Sequence, residues 1–374
     1  MPARSHDEQA ALDRRYMAAA IRLSAENSGR TSTNPSVGTL IVRDDGKGPV
    51  IVGRGVTAIG GRPHAEAEAL GEAGELARGA TAYVTLEPCA HHGRTPPCAN
   101  ALVTAGLARV VGGTTDPDER VSGKGYAILR QAGIEVVERV LADEAADAMA
   151  GYLTRSMKKR PEVTLKLALS QDGMIGRPGE GQIAITGEVS RRQVYMMRAA
   201  SDAILVGIGT ATEDNPELTV RLPGLSGRSP TRIVLDRTAR LPLTSKLVQT
   251  AREVPLLIAT CADADAARKA ELERAGAGFL ATETFDGRVA LPELLEDLAA
   301  QGMSTVLVEG GAATAKYFLD EGLVDRIVLF RGAVIVGEGG LAAPIDEDHM
   351  PAGFRLLRKA SYGDDSVAEW VRPI

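Results

Sequence analysis

Two stretches decide how the first half of this chain reads: PHAEAEAL (residues 63–70) and TAYVTLEPCAHHGRTPPC (residues 81–98). They hold His64, Cys89 and Cys98, one imidazole and two thiols, which is the ligand set of a zinc that keeps its fourth position open for chemistry. A purely structural zinc would close that position with a fourth protein ligand, and His91 or His92 in the intervening loop offers one. His64 is expected to begin a helix, and Cys89 and Cys98 each to open one, the first after a strand and the second after Pro96-Pro97. Helix N-termini favour the metal-binding thiolate. Glu66, two residues after His64, adds a carboxylate able to move a proton beside the metal. A lone H-x-E or a lone Pro-Cys is an ordinary surface pattern; their combination, in this order and on element ends, carries the catalytic-zinc reading.

Outward from these stretches, strand and helix signals alternate. TLIVR (39–43) and PVIVG (49–53) flank an Asp-Asp-Gly turn and read as a hairpin. A helix is expected from about Asp13 to Glu26, and others in HAEAEALGEAG, CANALVTAG, KGYAILRQAG and ADEAADAMAGYL, with strands in TAYVTLEP, ARVVGGTTD and IEVVERV. That rhythm predicts an α/β domain over residues 1–155. The basic, proline-bearing run SMKKRPEV (156–163) marks a boundary, and a second α/β domain is expected over 162–374. Its strands are VTLKLALS, DAILVGI, TRIVLD, VPLLIAT, STVLVEG and DRIVLFRGAVIV. Its helices are EVSRRQVYMMRAA, DADAARKAELERAG, LPELLEDLAAQG and AATAKYFLDEG.

Composition removes several function classes. The 374 residues carry a net charge of −6 and 3% aromatics, which argues against a nucleic-acid groove or a base-stacking platform. Three cysteines do not make a disulfide framework, and Cys261, ending an apolar strand, reads as a core thiol. The charged N-terminus lacks a signal peptide's apolar centre, and no apolar run approaches the ~20 residues of a membrane span. The expectation is a cytoplasmic protein with neither a membrane nor a nucleic-acid partner.

The pairing of H-x-E with Pro-Cys resembles the cytidine-deaminase-like superfamily, whose zinc deaminases use His/Cys/Cys and a nonligand Glu. The usual P-C-x-x-C is stretched here: eight residues, AHHGRTPP, separate Cys89 from Cys98. That insert, with TSTNPSVG (31–38) and PHAEAEAL, resembles the bifunctional deaminase–reductases of riboflavin biosynthesis. In the second half so do LKLALSQDG (165–173), RAASDAILVGIGTATEDNPELTVR (198–221), RIVLD (232–236) and VEGGAAT (308–314). The resemblance implies an N-terminal cytidine-deaminase-like three-layer α/β/α domain joined to a C-terminal dihydrofolate-reductase-like α/β domain. It implies zinc-dependent removal of the 2-amino group of 2,5-diamino-6-ribosylamino-4(3H)-pyrimidinone 5′-phosphate, then NADPH-dependent reduction of the ribosyl side chain to ribityl. One zinc per chain, NADPH, a small pyrimidine ribotide substrate and a homo-oligomeric state are expected. The rival readings are a nucleic-acid base deaminase with an appended domain and a structural zinc module.

The resemblance also assigns residues. His64, Cys89 and Cys98 bind zinc and Glu66 shuttles protons. Asn34 and Arg94 contact the deaminase substrate, Arg94 being suited to its phosphate. In the second half Gln182, Arg198, Leu218, Arg221 and Glu309 map to substrate positions, with Arg198 and Arg221 as phosphate clamps. Ala168, Ala184, Thr210, Asp214, Arg237, Gly311, Ala312, Ala313 and Thr314 map to cofactor positions, Arg237 toward a 2′-phosphate. Glu309-Gly310-Gly311 between a strand and a helix suits an anion site. Asp214 and Glu309 are both placed at strand ends. Ala184 stands where the family often carries a tryptophan, so aromatic stacking there is lost. Two G-x-G-x-x-A matches, at Gly53–Ala58 and Gly179–Ala184, do not lead from a strand into a helix and are discounted as dinucleotide fingerprints.

Overall fold

Ser5 opens the first helix. Its side chain accepts the Glu8 backbone N–H while the Glu8 carboxylate accepts the Ser5 N–H, a reciprocal cap. The helix, α1 (His6–Ser24), therefore starts before the expected Asp13: its early turns are largely exposed and carry no apolar periodicity, whereas Tyr16, Met17 and Ala20 farther on are buried. The computed structural model describes residues 4–91, 96–118 and 121–373, and the chain divides into units Met1–Lys158 and Lys159–Ile374.

In the first unit five strands, β1 (Gly38–Arg43), β2 (Val50–Val56), β3 (Thr81–Leu86), β4 (Arg109–Thr114) and β5 (Glu135–Val137), lie in the order β2-β1-β3-β4-β5. β1 runs antiparallel to β2 and β3, while β3, β4 and β5 are parallel. The two-residue period of a strand sorts the side chains. Leu40, Val42, Tyr83 and Val111 pack with Tyr16, Met17 and Ala20 of α1. Ile41, Ala82, Val84 and Val110 pack under α2 (Ala65–Ala73), α3 (Cys98–Thr104) and α4 (Lys124–Gln131), giving three layers. Asp13 on α1 is bound bidentately by Arg109 of β4 at 2.7 and 2.8 Å and accepts the Tyr83 hydroxyl at 3.0 Å, so this buried carboxylate is paired. Gly53 and Gly55 let α2 lie close on β2: a Cβ at Gly55 would sit 2.0 Å from the Ala65 carbonyl oxygen, and one at Gly53 2.2 Å from that of Ala69. Packing thus accounts for one of the two glycine patterns.

The single helix expected in ADEAADAMAGYL is two, α5 (Ala142–Ala148) and α6 (Ala150–Lys158), because Met149 leaves helical geometry at φ −121°, ψ 20°.

The second unit is a nine-stranded sheet. In chain order its elements are β6 (Glu162–Leu169), β7 (Met174–Gly176), α7 (Glu188–Ala200), β8 (Ala203–Gly207), α8 (Ile208–Glu213), β9 (Thr231–Leu235), α9 (Lys246–Gln249), β10 (Leu256–Thr260), α10 (Ala266–Ala275) and β11 (Gly278–Ala281). There follow β12 (Thr284–Phe285), β13 (Arg288–Val289), α11 (Leu291–Ala300), β14 (Thr305–Val308), α12 (Ala312–Asp320), β15 (Arg326–Arg331), β16 (Leu341–Ala342), β17 (Arg355–Tyr362) and β18 (Asp365–Val371). The sheet order is β11-β10-β9-β8-β14-β6-β15-β18-β17, and all neighbours are parallel except the last two pairs. Leu205, Val306 and Val308 face α11 and α12; Ile204, Val206 and Leu307 face the opposite layer with Leu247 and Leu272.

Two readings need correction in this unit, and two elements were not expected. The strand expected through DRIVLFRGAVIV ends at Arg331. Gly332 there packs so closely that a Cβ would meet the Ile185 carbonyl oxygen at 2.0 Å. The β17–β18 hairpin and the short helix α8 were not anticipated. Asp214 is not at a strand end; it is the C-cap of α8. Asp365, first residue of β18, reaches across to α7: its carboxylate accepts the Gly187 N–H at 2.8 Å and the Ser190 hydroxyl at 2.6 Å. Gly187 is the N-cap residue and has no side chain, so Asp365 does the capping from a distant segment. Among the described residues, no helix is long and apolar enough to cross a membrane.

Candidate active sites

In the first unit, His64 is the N-cap of α2, Glu66 lies in that helix's first turn and Cys98 is the first residue of α3. Cys89 does not open a helix. It lies in irregular chain beyond β3, and its sulfur instead accepts the backbone N–H of Cys98 at 3.2 Å. The helix N-terminus that favours its thiolate is therefore that of α3. The His64 Nδ1 lies 3.3 Å from the Cys98 sulfur and 3.7 Å from that of Cys89. A ligand atom from each of the three residues falls within 4.8 Å of the others, a donor set of one nitrogen and two sulfurs that fits a single zinc. His91 is not in that group, and His92 and Arg94 lie outside the described residues.

The electrostatics of the group are asymmetric. A hydrogen bond with Cys98, with His64 adding to it against the effect of burial, lowers the Cys89 thiol to about 4. The same bond and burial push Cys98 upward. Burial, with Cys89 next, raises the Glu66 carboxyl to about 7. A carboxyl poised near neutrality suits both accepting and returning a proton. Asn34 is oriented by its Nδ2 donating to the Gly61 carbonyl at 2.8 Å.

Sequence reasoning missed Glu87. Its carboxylate accepts the N–H groups of Gly123 and Gly125, both at 3.0 Å, and so ties the end of β3 to the start of α4. A Cβ on Gly125 would meet the Pro88 carbonyl oxygen at 2.0 Å, so the chain leading into Cys89 is closely backed.

In the second unit Ala168, Glu309 and the start of α12 lie at or just beyond the carboxyl ends of the neighbouring strands β6 and β14, and Thr210 follows β8. Arg198 on α7 donates to both Glu309 oxygens, at 2.7 and 3.0 Å, and to the Thr219 carbonyl at 3.0 Å. Lys166 of β6 lies 3.6 Å from Glu309 and was not singled out from sequence. Burial would raise the Glu309 carboxyl, but Arg198 and Lys166 outweigh it and hold it at about 2. Burial lowers Lys166. Leu218 is buried in the left-handed region at φ 57°, between Thr219, held by Arg198, and Glu217, whose carbonyl accepts from the fully buried Arg232 at 3.2 Å. Arg221 follows, exposed, its Nε donating to the Tyr195 hydroxyl at 2.9 Å.

Gly311 is the N-cap of α12, with Ala312, Ala313 and Thr314 in its first turn. The Thr210 hydroxyl accepts the Gly311 N–H at 2.9 Å, which joins α8 to α12. Gly207 and Gly310 are both backed by Thr314: a Cβ would meet its atoms at 2.3 and 2.6 Å, while one on Gly209 would meet nothing within 4 Å. A helix N-terminus behind glycines at parallel strand ends is a cradle that fits a dinucleotide's phosphates. Asp214 sits at the end of α8, its carboxyl raised by burial and then by Glu213. Ala168 lies on β6, and Gln182 and Ala184 are exposed in the segment leading to α7. Arg237 follows β9, the strand beyond β8, and pairs with Asp263.

Comparison with known proteins agrees with both halves. Residues 10–114 match the cytidine and deoxycytidylate deaminase zinc-binding region, and residues 161–367 match the RibD C-terminal domain. The riboflavin biosynthesis protein RibD of Aquifex aeolicus is 40% identical over 363 residues, covering 96% of this chain and 99% of the relative. That of Escherichia coli is 38% identical over 339 residues, covering 87% and 89%. Among solved structures, Acinetobacter baumannii RibD superposes with a TM-score of 0.82 at 36% identity, over 98% of this chain and all of that one. The diaminohydroxyphosphoribosylaminopyrimidine deaminase/5-amino-6-(5-phosphoribosylamino)uracil reductase of Thermotoga maritima gives 0.82 at 32% identity, over the same shares. With a zinc-type deaminase half, a reductase half and full-length relatives of both, the chain belongs to the RibD family of bifunctional riboflavin-biosynthesis enzymes.

Proposed function

We propose that residues 1–155 deaminate 2,5-diamino-6-ribosylamino-4(3H)-pyrimidinone 5′-phosphate at one zinc held by His64, Cys89 and Cys98. Zinc acidifies water and so supplies a nucleophile at neutral pH. Glu66 takes a proton from the attacking water and passes it to the departing amino group, which leaves as ammonia. Asn34 and Arg94 hold the substrate, Arg94 at its phosphate. The observation that carries this reading is the convergence of His64, Cys89 and Cys98 on one point, with the buried Glu66 in hydrogen-bonding contact with Cys98.

Residues 162–374 then reduce the ribosyl side chain. NADPH supplies the hydride, and the protein's part is to hold donor and acceptor in register and exclude water. Thr210, Asp214 and Gly311 through Thr314 hold the cofactor, together with Ala168, Ala184 and Arg237. Glu309, Arg198, Leu218, Gln182 and Arg221 hold the substrate. The substrate is a small molecule, the protein is read as cytoplasmic, and a homo-oligomer is the assembly we expect. Incubation with the diaminopyrimidinone ribotide, with and without NADPH, followed by mass analysis tests the whole reading. Deamination should occur in both tubes and reduction only with NADPH; an unchanged ribotide refutes it.

A further inference from the structure

Of the two arginines assigned to the reductase substrate's phosphate, the structure leaves one exposed. Arg198 is buried, and its three nitrogens are directed at Glu309 and at the Thr219 carbonyl. Arg221 carries a side chain 56% exposed, so the task of meeting a solvent-borne phosphate falls to it. A long exposed arginine is conformationally free, and holding it in one pose requires a partner. Tyr195 is that partner. Its hydroxyl accepts the Arg221 Nε–H at 2.9 Å, and its ring lies 5.4 Å from the Arg221 guanidinium carbon. The same ring lies 5.6 Å from the guanidinium carbon of Arg198, one turn along α7. Glu217 approaches Arg221 at 3.6 Å, but from four residues away in the same segment and with its own charge opposed to a phosphate. The tyrosine is neutral, so it orients the cation without cancelling it.

We propose that Tyr195 is a positioning residue that sets the phosphate specificity of the reductase by fixing Arg221 against the Arg198–Glu309 pair. The inference rests on the reading of Arg221 as a phosphate contact. A polar group held by both a hydrogen bond and a ring face presents its remaining nitrogens in a defined direction, which is what recognition of a tetrahedral dianion needs.

The test uses the full chain and two reductase substrates, the deaminated ribosylaminouracil 5′-phosphate and its dephosphorylated form, with NADPH oxidation as the readout. Tyr195→Ala should raise KM for the phosphorylated substrate about tenfold, leave KM for the dephosphorylated one unchanged, and change kcat little. Tyr195→Phe, which keeps the ring and loses the hydroxyl, should fall between. Deamination by the same protein reports that the chain is intact. If Tyr195→Ala raises KM equally for both substrates, or for neither, while Arg221→Ala abolishes the phosphate preference, Tyr195 has only a structural role and the inference falls alone. If Arg221→Ala keeps the preference, the phosphate reading of Arg221 falls and takes the inference with it.

Discussion

Arg198 holds Glu309 through two parallel hydrogen bonds, of 2.7 and 3.0 Å, with both side chains about nine-tenths buried. The carboxylate's pKa lies at about 2, below the ordinary 4.5. A depressed folded-state value means that stability from this group is present above about pH 4.5 and is lost as the pH falls toward 2. Removing one partner of such a pair strands the other, at a cost of about 3–5 kcal/mol. Glu309→Gln should therefore destabilise the second unit at pH 7 by that order and flatten its stability between pH 4.5 and 3, measured by urea denaturation. The variant should also accumulate deaminated, unreduced product.

The zinc group makes a separate prediction. Purified protein should hold about one zinc per chain, read by elemental analysis. His64→Ala or Cys98→Ala should lose the metal and deamination together, yet still oxidise NADPH when given the deaminated intermediate. Metal-free protein that deaminates at the native rate would refute the assignment.

Glu66→Gln replaces the carboxylate with a near-isosteric amide. Zinc content should stay the same, while deamination falls at least ~10²-fold, the usual loss when a general acid/base is removed. Near-native turnover by this variant would leave Glu66 without a chemical role.

Gly55→Ala tests how closely α2 must sit on β2. The added methyl would lie 2.0 Å from the Ala65 carbonyl oxygen, a backbone atom that gives way only if the helix moves. Overpacking of this kind costs about 1–3 kcal/mol. Because Ala65 lies between His64 and Glu66, the variant should bind zinc less tightly and deaminate more slowly, with the reductase unaffected.

The grouping of His64, Cys89 and Cys98 was legible because residue type and order alone suggest it, whatever loop joins Cys89 to Cys98. What was not legible is how the thiolate of Cys89 is supported, since its donor is the N–H of Cys98 on another element. Lys166 escaped for a similar reason. In EVTLKLAL it occupies a half-buried position of an alternating strand, and nothing nearby in sequence announces its partner Glu309. The hairpin β17–β18 was unread because β17 is an edge strand with mostly exposed residues, so RLLRKASY lacks the alternation of a half-buried strand. Helix α8, only six residues long, is too short to display a period. Tyr195 sits in a helix that was read correctly, but its bond to Arg221 depends on a fold-back of the chain that no local pattern encodes.

The reach of Asp365 to Gly187 and Ser190 has a consequence for the order in which the protein is made. All five strands of the first sheet are complete before residue 159, so that half has everything its own core requires before the second unit is made. The second half has no such early milestone. Its helix α7, which bears Tyr195 and Arg198, waits for a cap from the first residue of β18, and β15 waits for β18 to cover its edge. A chain made from its N-terminus therefore holds every strand of the first sheet before it holds the residues that cap α7 and cover β15.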